Sequence, residues 1–346
     1  MSSIKDVARE VGVSTATVSR ALRGLPRVSE ETRERVLEAA SRLGYVASPH
    51  ASGLAGGQTR TVAVIVPFVT RWYFSTLVMG AEEVLRVQGY DLLLYNLAGD
   101  AEARHRVFQT HLLTKRVDAI LVLALAPTPE ERRWLEHHAP PVSFVGCEPP
   151  IGSSVRIDDE LAARTAMAHL VELGHRRIAY VGGDTADALD FTSPLARLRG
   201  YRTALEAAGL PCDPELEIEE DWTVHGGIRA WGSLAALTQR PTAVFAASDE
   251  MAIGIIHAAR KAGRRVPEDL SVIGIDDHEM AELFDLSTVA QPTEEQGRIA
   301  ARQVLDAINA GEHWRPQQVV VPTQLVVRGS TAPPAVRAVA AQSTRV

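Results

Sequence analysis

The sequence predicts a small all-α helix-turn-helix head followed by an α/β body made of two doubly wound parallel-sheet lobes. Three observations carry this prediction. The first fifty residues hold three short segments with apolar side chains at helical spacing. From Thr61 onward, buried strands alternate with helices. Near residue 160 that alternation starts again. A chain of 346 residues suits a small head and a larger body.

In the head, Ile4, Val7, Ala8 and Val11 fall at i, i+3, i+4 and i+7, one helical stripe. Ser3, with Asp6 three residues later, forms an acidic version of a capping box. Gly12 supplies the positive φ that ends the first helix. Ser14 caps a second helix, on which Val18, Ala21 and Leu22 point inward. Thr15, Ala16, Ser19 and Arg20 lie off that stripe and face outward. A third helix, capped at Ser29, directs Val36, Leu37, Ala40 and Leu43 inward. An outward Arg can bond guanine in a major groove, and Thr or Ala can touch a thymine methyl. Ordinary packing in a three-helix bundle is the bland alternative, and charge distribution opposes it. Residues 1–60 hold nine Lys/Arg and six Asp/Glu, a net of +3, so the remainder carries −10 against −7 for the whole chain. A basic head on an acidic body suits phosphate contact at one end only.

The body begins with Val62–Pro67 as a buried strand. A helix over Met79–Gln88, a strand over Asp91–Tyr95 and strands at Ala119–Leu123 and Pro141–Val145 follow. The second series comprises helices 162–173, 197–208 and 251–262 and strands at 177–181, 242–246 and 271–275. Ligands of such sheets sit beyond the carboxyl ends of the strands. No apolar run approaches the ~20 residues of a membrane span, and the N-terminus lacks a signal-peptide core. Cys147 and Cys212 form neither a disulfide framework nor a zinc spacing, which points to a reducing cytosol. No metal, Walker or nucleophile-elbow motif is present, so neither cofactor nor metal is expected.

The run Ile4-Lys5-Asp6-Val7-Ala8, then Val13-Ser14-x-x-Thr17-Val18-Ser19-Arg20, then Gly44-Tyr45 resembles the head of the LacI/GalR family of bacterial transcription regulators. The resemblance continues to about Arg328-Gly329-Ser330. It implies a cytoplasmic, nucleoid-associated homodimer that binds a palindromic double-stranded operator and a small-molecule effector, a carbohydrate or sugar derivative. The implied organisation is a DNA-binding domain at 1–47, a hinge at 48–60 and a periplasmic-binding-protein-like body at 61–330. Its first lobe covers about 61–160 and 292–318, its second about 161–291 and 319–330, and 331–346 is a disordered tail. The DNA-contacting residues would be Ser14, Thr15, Ala16, Thr17, Ser19, Arg20 and Leu54. The hinge reads by itself as a Gly-rich tether. The resemblance makes it a short helix that folds on DNA and wedges Leu54 into the minor groove. Ser52 stands where an Arg is usual, and Gly53 lowers helix propensity by about 1 kcal/mol.

For the effector, the resemblance points to Asp158, Arg197, Ser248, Asp276 and Gln291. Asp276 ends a strand as the first of an acidic pair, with Asp277 free to cap a helix. Arg197 could instead be a solvated helix-end residue. Trp222 offers a face for a sugar ring or a core side chain. Phe68 and Arg71 lead into three successive aromatics, Trp72, Tyr73 and Phe74, which suit a first-lobe cleft wall or could simply pack the first helix; the family more often has Asp and Asn in this loop. Gly146-Cys147 replace the common Asp-Arg, and Ser248 replaces Asn. Fewer polar partners suggest a larger or less polar sugar, or an anion paired to Arg71 or Arg197. Rival readings are a periplasmic sugar-binding protein, opposed by the head, and a Rossmann-type enzyme. The latter rests on Val181-Gly182-Gly183-Asp184, which lacks the GxGxxG spacing. The tail has no Leu heptad to build a coiled-coil tetramer. Leu54→Ala is expected to lose operator bending and specific affinity, read by circular-permutation gel shift; unchanged bending would count against the wedge.

Overall fold

The structure is a computed structural model describing residues 2–22, 24–45, 58–109, 113, 116–138, 140–185, 189 and 191–335. Leu54 and the rest of the expected hinge up to residue 57 lie outside the described residues. Two compact units emerge: residues 1–61 with 115–118, and the remainder.

The head contains α1 (Ile4–Val11), α2 (Thr15–Leu22) and α3 (Glu30–Arg42). The capping box is present: the Ser3 amide and hydroxyl both donate to the Asp6 carboxylate, at 2.9 and 2.6 Å. Gly12 takes φ 74° and closes α1. The Ser14 hydroxyl accepts the Thr17 N–H at 3.1 Å, so α2 starts where its cap dictates. Val7, Ala8, Val11, Val18, Ala21, Val36, Ala39 and Ala40 form a miniature core. Arg35 donates to the Val11 carbonyl at 2.9 Å, and Arg42 pairs with Glu10 at 2.7 Å, tying α3 to α1. Leu37 departs from expectation and is 48% exposed. It sits one residue, about 100° of helix rotation, off the stripe of Val36, Ala39 and Ala40.

The second unit carries two six-stranded sheets. The first has the order β11-β5-β4-β3-β1-β2 and the second β12-β10-β9-β8-β6-β7. The first comprises β1 (Thr61–Val66), β2 (Asp91–Asn96), β3 (Ala119–Leu123), β4 (Val142–Val145), β5 (Ser153–Arg156) and β11 (Gln318–Val320). The second comprises β6 (Ile178–Gly182), β7 (Glu217–Glu219), β8 (Ala243–Ala246), β9 (Ser271–Asp276), β10 (Ser287–Ala290) and β12 (Gln324–Val326). Central strands such as β1, β3, β6, β8 and β9 are buried almost throughout, as a sheet covered on both faces requires. Helices α4 (Trp72–Val87), α5 (Ala101–Gln109), α6 (Pro129–His138) and α11 (Thr293–Ala310) belong to the first lobe. Helices α7 (Asp159–Glu172), α8 (Ser193–Ala207), α9 (Val224–Ala236) and α10 (Asp249–Lys261) belong to the second.

The chain passes between the sheets three times: between β5 and α7, between β10 and α11, and between β11 and β12. The third passage lies later than the resemblance implies. Val319 and Val320 stay in the first sheet because β11 pairs in parallel with β5, Val319 opposite Val155. Helix α4 begins seven residues before the expected Met79, at the aromatic triplet, which reads as loop without a capping side chain. Helix α8 starts at Ser193 with Pro194 in its first turn, so Arg197 is not at a helix end. Thr331 and Ala332, expected in a disordered tail, are held instead. His169 bonds the Thr331 hydroxyl at 2.9 Å, His175 the Ala332 carbonyl at 2.9 Å, and the Ala332 N–H donates to Ser271 at 3.0 Å.

Helices α4 and α11 pack at backbone distance. A Cβ on Gly80 would come within 2.0 Å of the Glu294 carbonyl oxygen. Backbone cannot yield as a flexible side chain does. Gly80→Ala is therefore expected to destabilise the body by ~1–3 kcal/mol in urea unfolding. Gly232→Ala, on the open face of α9 with nothing within 4 Å, is expected to be neutral or stabilising by ~0.5–1 kcal/mol.

Candidate functional site

The head presents one small polar surface. Ser14, Thr15, Ala16 and Arg20 are exposed along the start and outer face of α2, while Thr17 and Ser19 are half-buried. The hydroxyls of Ser14 and Thr17 lie 2.9 Å apart in the helix cap. Val18 and Ala21, on the opposite face, anchor the helix in the core. This is the exposure pattern of a recognition helix whose first turn and outer face are free to enter a groove.

In the body, the carboxyl ends of the strands face one another across a cleft with about 680 Å³ between its lining atoms, part of it open to solvent. The first lobe contributes Arg71, Tyr73 and Phe74 from the start of α4, Ala124 after β3, Gly146 after β4 and Ile157. The second contributes Asp159, Phe191, Ser193, Arg197, Trp222, Ser248, Glu250 and Asp276, and Gln291 sits at a crossing. Among the described residues, the contacts that join the lobes around it include the following. Trp72 packs on His278 with ring centroids 4.7 Å apart. The Thr192 hydroxyl donates to the Gly146 carbonyl at 3.4 Å. Arg104, buried in a bidentate pair with Glu131 at 2.7 Å for both bonds, reaches the Leu189 carbonyl at 2.6 Å.

Arg197 is the centre of the polar side. Its Nε donates to Asp159 Oδ1 at 2.8 Å, one terminal nitrogen donates to the Ala247 carbonyl, and its carbon lies 5.6 Å from the Trp222 ring centroid. Burial works against its charge, but Asp159 and Asp276 outweigh that and raise its pKa. Asp276 accepts from Gln291 Nε2 at 2.6 Å, and Gln291 Oε1 accepts from Gln296 at 2.9 Å. Asp276 also holds φ 138°, a conformation rarely taken by a residue with a side chain. Behind it, Asp249 accepts the His278 N–H at 2.9 Å and the Thr288 hydroxyl at 2.8 Å. Burial pushes both carboxyls above the usual range, and repulsion from Asp276 adds to the rise at Asp249. Glu250 is pushed up to about 7 by burial, then by Asp276; Arg71 and a backbone hydrogen bond with Trp72 partly offset this.

The model for bacterial regulatory proteins of the lacI family matches residues 3–48, and the periplasmic binding protein-like domain matches 167–331. The chain is 36% identical to the HTH-type transcriptional repressor CytR of Escherichia coli K12 over 335 residues, 95% of this chain and 96% of the relative. The chain belongs to the LacI family of bacterial transcription regulators. Among solved structures, it matches a complex of the transcriptional regulator CelR with cellobiose. That match has TM-score 0.70 and 34% identity, over 95% of this chain and 100% of the other. It also matches the Lac repressor dimer bound to operator and the anti-inducer ONPF. Here the TM-score is 0.83 with 27% identity, over 96% of this chain and 99% of the other.

This LacI-family chain is thus a DNA-binding transcription regulator with a ligand-binding body, and its relatives are regulators rather than enzymes. The glycine loop after β6 fits that answer. A Cβ on Gly183 would strike the Trp222 indole at 2.0 Å, so the glycine is explained by the close packing of that side chain. Among the described residues, no helix is long and apolar enough to cross a membrane and no side-chain group could hold a metal ion.

Seven of the ten expected cleft residues line the cavity: Arg71, Phe74, Arg197, Trp222, Ser248, Asp276 and Gln291. Three do not. Asp158 is exposed and caps α7 through the Leu161 N–H at 2.9 Å, while its neighbour Asp159 turns inward to Arg197. Trp72 faces His278, and Phe68 lies under the Arg71 guanidinium at 3.9 Å. Asp277 caps no helix and pairs with Arg328 at 2.7 Å. Tyr73 of the aromatic triplet lines the cleft, and Gly146 does so where the family has a polar residue, while Ala124, Ile157, Asp159, Phe191, Ser193 and Glu250 join it without having been expected there. The strand-end rule marks Ala124. Arg197 is paired with Asp159 at 2.8 Å, and the Arg71 charge acts on Glu250.

Glu250 binds its proton more tightly folded than unfolded. Its contribution to stability is therefore present below its ordinary value of 4.5 and is lost as pH rises towards about 7. Glu250→Gln is expected to gain stability on the wild type as pH climbs through that window, measured by urea midpoints. A pH-independent difference would show that Glu250 is not perturbed.

Proposed function

We propose that the protein is a homodimeric repressor of carbohydrate-utilisation genes. Each head reads one half-site of a palindromic operator, and a small carbohydrate in the inter-lobe cleft switches the complex. The observation that carries this reading is the grouping of Arg197, Asp276, Gln291, Ser248 and Trp222 around one cavity. These groups combine hydroxyl-binding donors and acceptors with an aromatic face, the chemistry a pyranose requires. The neighbouring structures of a regulator with cellobiose and of a repressor dimer on operator support the same reading.

Switching needs the effector to prefer one arrangement of the lobes, typically by 1–3 kcal/mol. The three chain passages limit relative lobe motion, and the Trp72–His278 and Arg104–Leu189 contacts would break on opening. Residues 48–60 would transmit the change, with Leu54 seated at the operator's centre. Ser14, Thr15, Ala16, Thr17, Ser19 and Arg20 would contact DNA, with Arg20 the leading candidate for a base.

The test is fluorescence anisotropy on palindromes found upstream of the coding sequence, across a salt series and with a panel of sugars. Arg20→Ala is expected to weaken specific binding by ~1–3 kcal/mol while leaving binding to scrambled duplex nearly unchanged. Asp276→Asn is expected to abolish the sugar response without removing operator binding. Equal affinity for palindromic and scrambled duplex would overturn the proposal.

A further inference from the structure

We propose that Asp118 is a positioning residue for operator recognition: it clamps the last residues of the hinge and so sets which spacing of half-sites the dimer accepts. This rests on the reading of the protein as a dimer on a palindromic operator.

The implied hinge runs to residue 60, yet its last two residues are already tied down. The Asp118 carboxylate accepts three hydrogen bonds from them. Its Oδ1 takes the Thr59 N–H at 2.7 Å and the Thr59 hydroxyl at 2.9 Å, and its Oδ2 takes the Arg60 N–H at 2.8 Å. In return the Asp118 N–H donates to the Thr61 carbonyl at 2.8 Å. The Thr61 hydroxyl donates to the Thr59 carbonyl at 3.2 Å, closing the turn. Hydrogen bonds to a carboxylate are shorter and stronger than neutral ones. Arg60 is held at φ 54°, a conformation that a residue with a side chain keeps only when its surroundings impose it.

The clamp has a firm base. Asp118 is half-buried between Val117 and Ala119, both of which are buried. Ala119 opens β3 and pairs with Val62 of β1. A pull on the hinge therefore meets a residue packed at the start of two paired strands, and the length free to act ends at Gln58. A released residue adds up to ~3.5 Å of reach, so freeing Thr59 and Arg60 would lengthen each hinge by roughly 7 Å. That is about the rise of two base pairs. In a dimer both hinges gain, and two heads on longer tethers no longer demand one fixed separation of half-sites.

The test uses the full-length protein, fluorescence anisotropy and three duplexes. These are the palindrome the wild type prefers, the same palindrome with two base pairs inserted at its centre, and a scrambled duplex. The insertion moves the half-sites apart by about 7 Å and turns them by roughly 70°. The wild type is expected to lose about tenfold or more in affinity on the insertion, and Asp118→Ala to bring that loss to within about threefold. Asp118→Asn replaces one acceptor by a donor and is expected to fall between the two; it carries the test if Asp118→Ala does not fold. Thr59→Val leaves both N–H bonds in place and is expected to match the wild type. Without DNA, trypsin should cut after Arg60 several-fold faster in Asp118→Ala than in the wild type. Wild-type spacing discrimination in Asp118→Ala, uniform weakening on all three duplexes, a wild type that tolerates the insertion, or unchanged cleavage after Arg60 would each overturn the clamp while leaving operator recognition intact. Equal affinity of the wild type for palindromic and scrambled duplex would overturn the dimeric operator reading, and the role of Asp118 with it.

Discussion

The polar side of the body is organised around one buried cation, the Arg197 guanidinium. Removing such a group from water costs several kcal/mol, and only close partners offset it. Here the partners come from three parts of the chain. Asp159 opens α7 just after the first crossing, Ala247 follows β8, and Asp276 ends β9. Satisfying the cation therefore brings these strand and helix ends into register. It also explains why Gly200 faces α7: a Cβ there would meet the Glu160 carbonyl at 2.6 Å, and the two helices could not close on the pair.

The same requirement propagates outward. Asp276 is held at an uncommon φ by Gln291, which is itself held by Gln296 at the start of α11. Gln291 lies at the second crossing, so the Asp276 carboxylate is fixed by the segment that any lobe motion must bend. Asp249, fully buried behind it, is tied to β10 through Thr288 and to the turn after β9 through His278. Acids, amides and hinge form one connected network, and a group bound at its surface is positioned to act on all of it.

Local patterns make the head legible from its residues alone. Caps at Ser3, Ser14 and Ser29 and a stripe of Val and Ala specify three helices through contacts at most four residues apart in the chain. The buried strands are equally plain, because continuous Val and Ile runs have few alternatives. What stays hidden is set by distant partners. Asp158 and Asp159 are indistinguishable by type. Which one caps the helix and which meets Arg197 depends on a helix some forty residues later. The aromatic triplet carries no helix signal because α4 starts without a side-chain cap. Leu37 reads as internal because a binary pattern tolerates a one-residue error that the packed stripe does not. The short strands β5, β7, β11 and β12 are three or four residues long and gain their identity from sheet neighbours alone.

The three crossings have a consequence for synthesis. Neither lobe is a continuous stretch of chain. Helix α4 emerges early, yet the helix that covers it, α11, follows roughly 200 residues later. At ~5–20 residues per second, that interval lasts on the order of 10–40 s. During it the first lobe exposes the apolar face that α11 will bury, with Gly80 and Leu77 waiting for Glu294 and Gly297. The second lobe closes its sheet only when β12 arrives. The body thus cannot finish folding until residues 293–326 have been made, while the head is built from contacts within its first forty-five residues.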